Sequence, residues 1–399
     1  MIKSITFRNF FSLKDVTVEL HNLSVLVGIN GTGKSNFIKA LRVLKTTIFE
    51  GALPDLMLNQ WGGFDAIAYA GNTDEGRKIE LEFEFDEGAL SVYGYHFLEP
   101  VYYRISFGKI ASSQNYSISE SYHTKNEDGT RKYWFFKMKN GKGYAREGLS
   151  NDQHSVAYQL ADGTESLLSQ LVDKDRYLQI YTLREAIRDI SVYTYFDTTA
   201  RSEIRKPMLP TGGSVRLLAD GSNLPQILNR IKINSKQSFY PKVVEALRSV
   251  NPQFNGIDFN FLGSNIELLL DEKGLETAVH VTHISDGTLR YLCLLSILFN
   301  PQRGAVVCID EPEVGLHPDM IGKIISTIKE YDSQTQFILS THSEHILDDV
   351  SVDDILVCEK STGNATIINT FREQEFVEWA SQYTSGKLWR NGDIGGNRY

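Results

Sequence analysis

Cysteine is scarce. The 399 residues hold three, Cys293, Cys308 and Cys358, far apart and each in an apolar run. They form neither a metal-ligand pattern nor a disulfide framework, so the chain reads as a protein of a reducing, cytoplasmic compartment. Long apolar runs are missing too. The longest, around residues 292–299, is too short to cross a bilayer, and no membrane partner is expected. The start, Met1-Ile2-Lys3-Ser4-Ile5-Thr6-Phe7, alternates like a strand and does not resemble a secretory signal. Basic residues are outnumbered, 41 Lys and Arg against 50 Asp and Glu, for a net charge of −9. The surface as a whole therefore repels nucleic acid, and only a local basic groove would attract it. No sustained heptads, internal repeats or low-complexity tracts occur, which excludes a long coiled-coil arm. What remains is ordinary: 41% hydrophobic and 23% charged residues, enough chain for two or more lobes.

Against that background one stretch stands out. Gly28-Ile29-Asn30-Gly31-Thr32-Gly33-Lys34-Ser35 fills every fixed position of the phosphate-binding P-loop. Residues 23–27 before it read as a buried strand, and residues 36–41 after it as an amphipathic helix. Strand, glycine turn and helix N-terminus together make an anion site, with backbone N–H groups closing on phosphate oxygens. Asn30, Gly31, Thr32, Gly33, Lys34, Ser35 and Asn36 are the candidate nucleotide-binding residues. Lys34 would reach the β- and γ-phosphates, and the Ser35 hydroxyl would ligate Mg²⁺.

Around the P-loop, residues 2–7 and 16–20 alternate as strands. Arg8-Asn9-Phe10-Phe11 is expected in the turn after the first strand, either packing on an adenine ring or anchoring a loop in the core. From Lys78 the pattern becomes long alternating strands, residues 79–85, 101–107, 116–122 and 132–138. Turn signals at Asn126-Glu127-Asp128-Gly129 and Asn140-Gly141 separate the later ones. This reads as an antiparallel meander with one buried face. Its Tyr, Phe and Lys residues offer a nucleic-acid surface, but a half-exposed sheet with aromatic cross-strand pairs is the better reading. Residues 166–171, 178–190, 224–233 and 240–250 show helical spacing, with Asn223 and Ser238 as N-caps. Residues 192–196 interrupt them as a strand, and residues 256–270 read as a hairpin. The expected division is 1–85 for the P-loop part of the core, 86–163 for the meander and 164–279 for a mostly helical insertion. Residues 280–372 return to the core, and 373–399 form a helix and glycine-rich tail.

The second half of the chain carries matching chemistry. Residues 305–309 are apolar and end in Asp310-Glu311, the form of a Walker B strand buried on both faces. Open α/β sheets place ligands at the carboxyl ends of their strands. Asp310 is assigned to Mg²⁺, and Glu311 to orienting the attacking water as general base. The next core strand, residues 336–341, ends at His342, placed to hydrogen-bond the γ-phosphate or the water. Ser285-Asp286-Gly287-Thr288 precedes an apolar helix with Ser285 near its N-cap, a second helix N-terminus able to hold an anion.

The order of these segments, with Gly315-Leu316-His317-Pro318 and Ser340-Thr341-His342-Ser343, resembles the ABC-class AAA ATPases. These include the RecF, SMC and overcoming-lysogenisation-defect proteins. The likeness is greatest to the stand-alone prokaryotic ATPases of anti-phage defence systems. It spans residues 2–39, 221–224 and 287–348. It also takes in the tail Gly386-Lys387-Leu388-Trp389-Arg390 with Gly395-Gly396-Asn397, which carries no assigned chemistry and reads most plainly as a flexible terminus.

The resemblance implies an α/β P-loop NTPase of ABC type, with a mixed-sheet core, an antiparallel β meander and a helical insertion. It implies ATP and Mg²⁺, and an ATP-gated homodimer with higher oligomers left open. Ser285 and Gly287 would be signature residues touching the γ-phosphate held by the other subunit. Residues 313–318 would be the D-loop, and Gln60 a Q-loop candidate. The signature departs from the family pattern at Ile284, Asp286 and Thr288, and the negative charge of Asp286 near a phosphate calls for a compensating cation such as Arg290.

The implied role is a regulatory ATPase acting on a separate effector, a nuclease or toxin. Roughly fifty residues follow the histidine segment, too few for a fused domain of ~100 residues. Competing readings are a RecF-like DNA-repair ATPase, for which nucleic acid is a partner, and a transporter's nucleotide-binding subunit, against which the long insertion speaks.

Overall fold

The computed structural model describes residues 1–71, 77–111, 113–126, 128–148, 154–160, 162–235, 237–331, 333–372 and 383–395. The chain divides into two units. One comprises Met1–Ile190, Leu356–Thr370 and the end from Gly395. The other comprises Ser191–Ile355 and Phe371–Ile394.

The first unit begins with strands β1 (Ile2–Phe10), β2 (Leu13–Glu19) and β3 (Leu23–Val27). Six more follow: β4 (Lys78–Phe85), β5 (Val101–Lys109), β6 (Tyr116–Lys125), β7 (Arg131–Lys139), β8 (Lys142–Glu147) and β9 (His154–Gln159). All but β3 form one eight-stranded sheet in the order β2-β1-β4-β5-β6-β7-β8-β9. Each neighbouring pair is antiparallel. The meander is thus an extension of the N-terminal strands. Period-two alternation sends aromatic rings to one face, where Phe83, Tyr103, Tyr122 and Phe136 sit in register and fully buried. On the opposite face of β4, Glu80 pairs with Arg8 and Arg104, and Glu82 with Lys125.

The buried face includes the acid Glu120. Glu120 accepts from Tyr103 Oη, Ser166 Oγ and the Leu167 N–H, each at 2.8 Å, and burial pushes its carboxyl above the usual carboxylate range. Helix Leu178–Arg188 also belongs to this unit.

The second unit takes up β10 (Ile190–Tyr193) and the hairpin β11 (Phe254–Leu262) with β12 (Asn265–Glu272), to which the short β13 (Val279–His280) adds. Strands β14 (Val306–Asp310) and β15 (Gln336–Thr341) run parallel, and β10 lies beside β14. The strand expected to interrupt the helical segment therefore adjoins the Walker B strand. Both β14 and β15 are apolar and buried nearly throughout, as a parallel pair covered on two faces requires.

Helices Leu224–Asn234 and Phe239–Val250 lie where the spacing predicts, but neither Asn223 nor Ser238 makes a side-chain capping bond. Asn223 Oδ1 instead accepts from the Leu218 N–H at 2.8 Å. Helix Asp286–Leu298 buries nearly every residue from Thr288 on, and the Ser285 hydroxyl caps it by accepting from the Thr288 N–H.

In the tail, Ser385–Asn391 is a helix capped by Thr384, and Ser385 Oγ donates to Val350 O at 2.7 Å. A Cβ on Gly386 would sit 2.5 Å from Glu344 O and Asp348 Oδ1, so the glycine permits close docking. This part of the tail is packed, contrary to a flexible terminus, while Gly396 and Asn397 lie outside the described residues. The last strands, β16 (Ile355–Lys360) and β17 (Thr366–Thr370), are antiparallel, and β16 lies beside β3. Among the described residues no helix is long and apolar enough to cross a membrane.

Candidate functional site

Strand β3 is buried along its whole length and delivers the chain to the P-loop. Gly31 and Gly33 take φ of +84° and +109°, values open to glycine at little cost. A Cβ on Gly33 would lie 2.2 Å from Thr366 Oγ1 and 2.7 Å from Ser12 Oγ. Those hydroxyls brace the turn. They bond each other at 2.6 Å, Thr366 Oγ1 lies 2.6 Å from the Thr32 carbonyl it can donate to, and Asn36 Nδ2 donates to Ser12 Oγ. Asn30 and Gly31 stand exposed at the tip, Thr32 is buried, and Ser35 is exposed in the first turn of helix Lys34–Thr46.

Lys34 decides what the loop can hold. Its side chain is buried, and its ammonium donates to Gly28 O at 2.7 Å and Ile29 O at 3.3 Å. Among the described residues no carboxylate pairs with it. A buried cation costs several kcal/mol unless a counter-charge meets it. Neutral carbonyls alone leave the loop suited to a polyanion, and the residues present fit a nucleotide phosphate.

Four further residues of the N-terminal segment had candidate roles. Strand β1 runs on through Phe10, so Arg8, Asn9 and Phe10 are strand residues rather than a turn. Arg8 is engaged by Glu80 and Asp15, and Phe10 is wholly buried. Phe11 remains half-buried, edge-on to Trp61 at 5.4 Å and capped by the Lys39 ammonium 3.9 Å from its centroid. Gln60 lies exposed in a π-helical turn, bonded to Arg42 and Asp55.

The second unit gathers the acids and the histidine. Ser340 Oγ donates to Asp310 Oδ1 across the parallel pair β14–β15. Glu311 follows with φ +48°, a left-handed conformation that is uncommon for a residue with a side chain. Its N–H donates to Ser340 O at 3.0 Å and Ser340 Oγ at 3.2 Å, which hold it there. Such strain costs about 1–3 kcal/mol and collects at functional sites. His342 Nδ1 lies 3.4 Å from Glu311 Oε1 and 3.5 Å from Glu313 Oε1. Glu313 itself is buried, accepting from Thr341 Oγ1 at 2.6 Å and the His342 N–H at 3.0 Å, while its Oε2 has no hydrogen-bond partner among the described residues.

A cavity of about 140 Å³ opens beside Asp310 and Glu311, lined by Tyr193, Tyr195, Phe196 and Arg290 among others. Among the described residues no cluster of three or more His, Cys, Asp or Glu could hold a metal by itself. A hard cation at Asp310 would therefore take other oxygen ligands, as Mg²⁺ does with phosphate and water.

Ser285 and Gly287 open helix Asp286–Leu298, packed against the residues expected to be the D-loop. A Cβ on Gly287 would come 2.7 Å from Gly315 O. Arg290, the cation expected to offset Asp286, donates to Val314 O at 3.0 Å instead. The cation that meets Asp286 is Arg205, a residue that carried no sequence signal. The hold of Glu313 on the histidine segment likewise carried no sequence signal, since the resemblance implied only a D-loop over residues 313–318. All three cysteines are buried, which pushes their thiols up, that of Cys358 to about 12.

Two solved structures resemble the whole fold. One is the Smc head bound to the C-winged helix domain of ScpA, with TM-score 0.57, 14% identity, 94% of this chain and 99% of that chain covered. The other is the Smc head domain with an extended coiled coil bound to the C-terminal domain of ScpA, from Pyrococcus furiosus. It gives TM-score 0.59 and 13% identity, with 96% and 98% covered. At that identity the likeness shows the fold. No curated protein matches the sequence. The sequence pattern of the family described as "AAA domain, putative AbiEii toxin, Type IV TA system" matches residues 23–348. The chain belongs to that AAA family, and its fold is that of the Smc head domains.

Proposed function

We propose that the protein binds and hydrolyses Mg²⁺-ATP and works as an ATP-gated homodimeric switch. The observation that carries this reading is Lys34, a buried ammonium with carbonyl partners only, in a loop whose glycines leave its backbone open. In this reading Lys34 and residues 30–36 hold the β- and γ-phosphates, and Ser35 and Asp310 order the metal. When bound, Mg²⁺ neutralises charge on the phosphate oxygens. Glu311 takes the proton of the attacking water, and His342 bonds the γ-phosphate or that water.

Ser285 and Gly287 of a second copy meet the γ-phosphate from the other side. A ligand shifts a conformation only by binding one state better than another. Charge-assisted contacts contribute roughly 1.5–3 kcal/mol each. Two or three per site reach the ~5.5 kcal/mol that turns a mostly open population into a mostly closed one. Hydrolysis removes that bridge.

Binding and turnover measured side by side test the reading. Wild-type protein is expected to bind a fluorescent ATP analogue and release phosphate, with Lys34→Ala doing neither. A wild-type protein that fails to bind ATP with Mg²⁺ present contradicts it. The family description names a putative AbiEii toxin of a Type IV TA system, and the regulatory role in prokaryotic defence that we propose rests on the sequence resemblance. The effector, a nuclease or toxin, would be a separate chain. Purification with its native neighbours, with and without ATP, is expected to bring that chain down in one nucleotide state only.

A further inference from the structure

Asp286 stands at the N1 position of helix Asp286–Leu298, between Ser285 and Gly287, with its carboxylate largely exposed. An acid suits a helix N-terminus electrostatically, yet opposes a phosphate approaching the same end. The Arg205 guanidinium lies underneath, nearly wholly buried, and its Nη2 donates to Asp286 Oδ1 at 2.7 Å. Three further donors are spent on backbone. Nε reaches Thr198 O at 3.1 Å, and Nη1 reaches Val281 O at 2.5 Å and Ile284 O at 3.0 Å. One planar fork therefore ties residue 198, the turn Val281–His283 and the first helical residue together.

We infer that Arg205 is the positioning residue of the signature segment. It cancels the Asp286 charge and fixes the backbone that presents Ser285 and Gly287. This inference rests on the reading of Ser285 and Gly287 as a phosphate-facing pair. Arg205 is too buried to touch a ligand and acts through Asp286 and the turn. Arg290 cannot substitute, because its guanidinium is directed to Val314 O and Thr198 Oγ1.

A charge-rescue experiment tests the inference on the full chain. Arg205→Gln keeps part of the hydrogen bonding and leaves Asp286 unopposed. Its ATP turnover is expected to fall about tenfold or more, the scale of one charge-assisted bond. Binding of a fluorescent ATP analogue, governed by the P-loop, stays within about twofold. Adding Asp286→Asn removes the offending charge and is expected to restore turnover to within about threefold of Asp286→Asn alone. A folded double variant no more active than Arg205→Gln overturns the inference, as does unchanged turnover in Arg205→Gln. Should Arg205→Gln not fold, Arg205→Lys keeps the charge. It loses the fork, so turnover is then expected to fall about threefold or more with ATP binding unchanged, and unchanged turnover in the folded protein would also overturn the inference. A wild type that binds no ATP would contradict the underlying functional reading instead.

Discussion

The P-loop and the acid–histidine cluster treat charge in the same unusual way, and the large sheet treats it in the opposite way. In the P-loop a buried ammonium has carbonyl partners, and hydroxyls of Ser12 and Thr366 brace the backbone around it. In the second unit the Thr341 hydroxyl holds Glu313, and among the described residues no Lys or Arg pairs with Glu311 or Glu313. On the sheet Glu80 is clasped by two arginines. The difference separates charges that a fold has neutralised from charges it keeps available. A neutralised charge reports on stability. An available one is held in place by neutral groups at some cost and reports on a ligand.

The sharpest way to break this comparison is at Glu311. Glu311→Gln keeps size and hydrogen bonding and removes the base. Hydrolysis is expected to fall about 10²–10⁴-fold with ATP still bound. Wild-type phosphate release from that variant would remove Glu311 from the mechanism. Next comes Lys34→Met, which swaps a buried, unmatched cation for an apolar stem. ATP affinity is expected to drop about 100-fold or more, while thermal stability holds or rises, because the desolvation cost is gone. A sharply lowered melting temperature would mean that Lys34 is structural.

Glu80→Gln should behave inversely. Stability falls by about 1–3 kcal/mol as two guanidinium groups lose their carboxylate, and ATP turnover is unchanged. Calorimetry together with a phosphate-release assay checks both halves.

The smallest expected effect is a pH dependence at His123. Burial, with a contribution from Lys125, lowers its pKa to about 4. The unfolded chain, at about 6.5, takes up the proton first. The contribution of this group to stability is therefore full above about pH 6.5 and is lost as pH falls towards 4, by at most ~3 kcal/mol. Glu120, held above its usual range, acts in the other sense and loses stability as pH rises. The two are separated by comparing wild type with His123→Gln. The variant's melting temperature should fall less between pH 7 and pH 4.5, and parallel curves would remove His123 from the account.

How legible each part was follows from how local its physics is. The P-loop is eight consecutive residues with fixed glycines. The strand before it and the helix after it are set by their own periodicity, so it could be read directly. The same holds for the alternation in β4 to β7, and for the apolar strands β14 and β15. Failures occurred where the partner could not be read from the local pattern, most of them far along the chain. Arg8 looked like a turn residue because its partner Glu80 is seventy-two positions away. Arg290 looked like the cation for Asp286 because it is near in sequence, whereas Arg205 reaches Asp286 across eighty-one positions. Asn223 looked like a cap, but its oxygen turns to Leu218. The hold of Glu313 on the His342 segment depends on β14 and β15 being parallel neighbours, which no local pattern shows.

The central claim is that ATP joins two copies of this chain. The most direct measurement is the solution mass of the hydrolysis-deficient Glu311→Gln protein by light scattering, with and without saturating Mg²⁺-ATP. The account predicts the 45.1 kDa chain alone and twice that mass with ATP, reverting when Lys34→Ala is added. A mass that stays at one chain under saturating ATP, with nucleotide demonstrably bound, would contradict it.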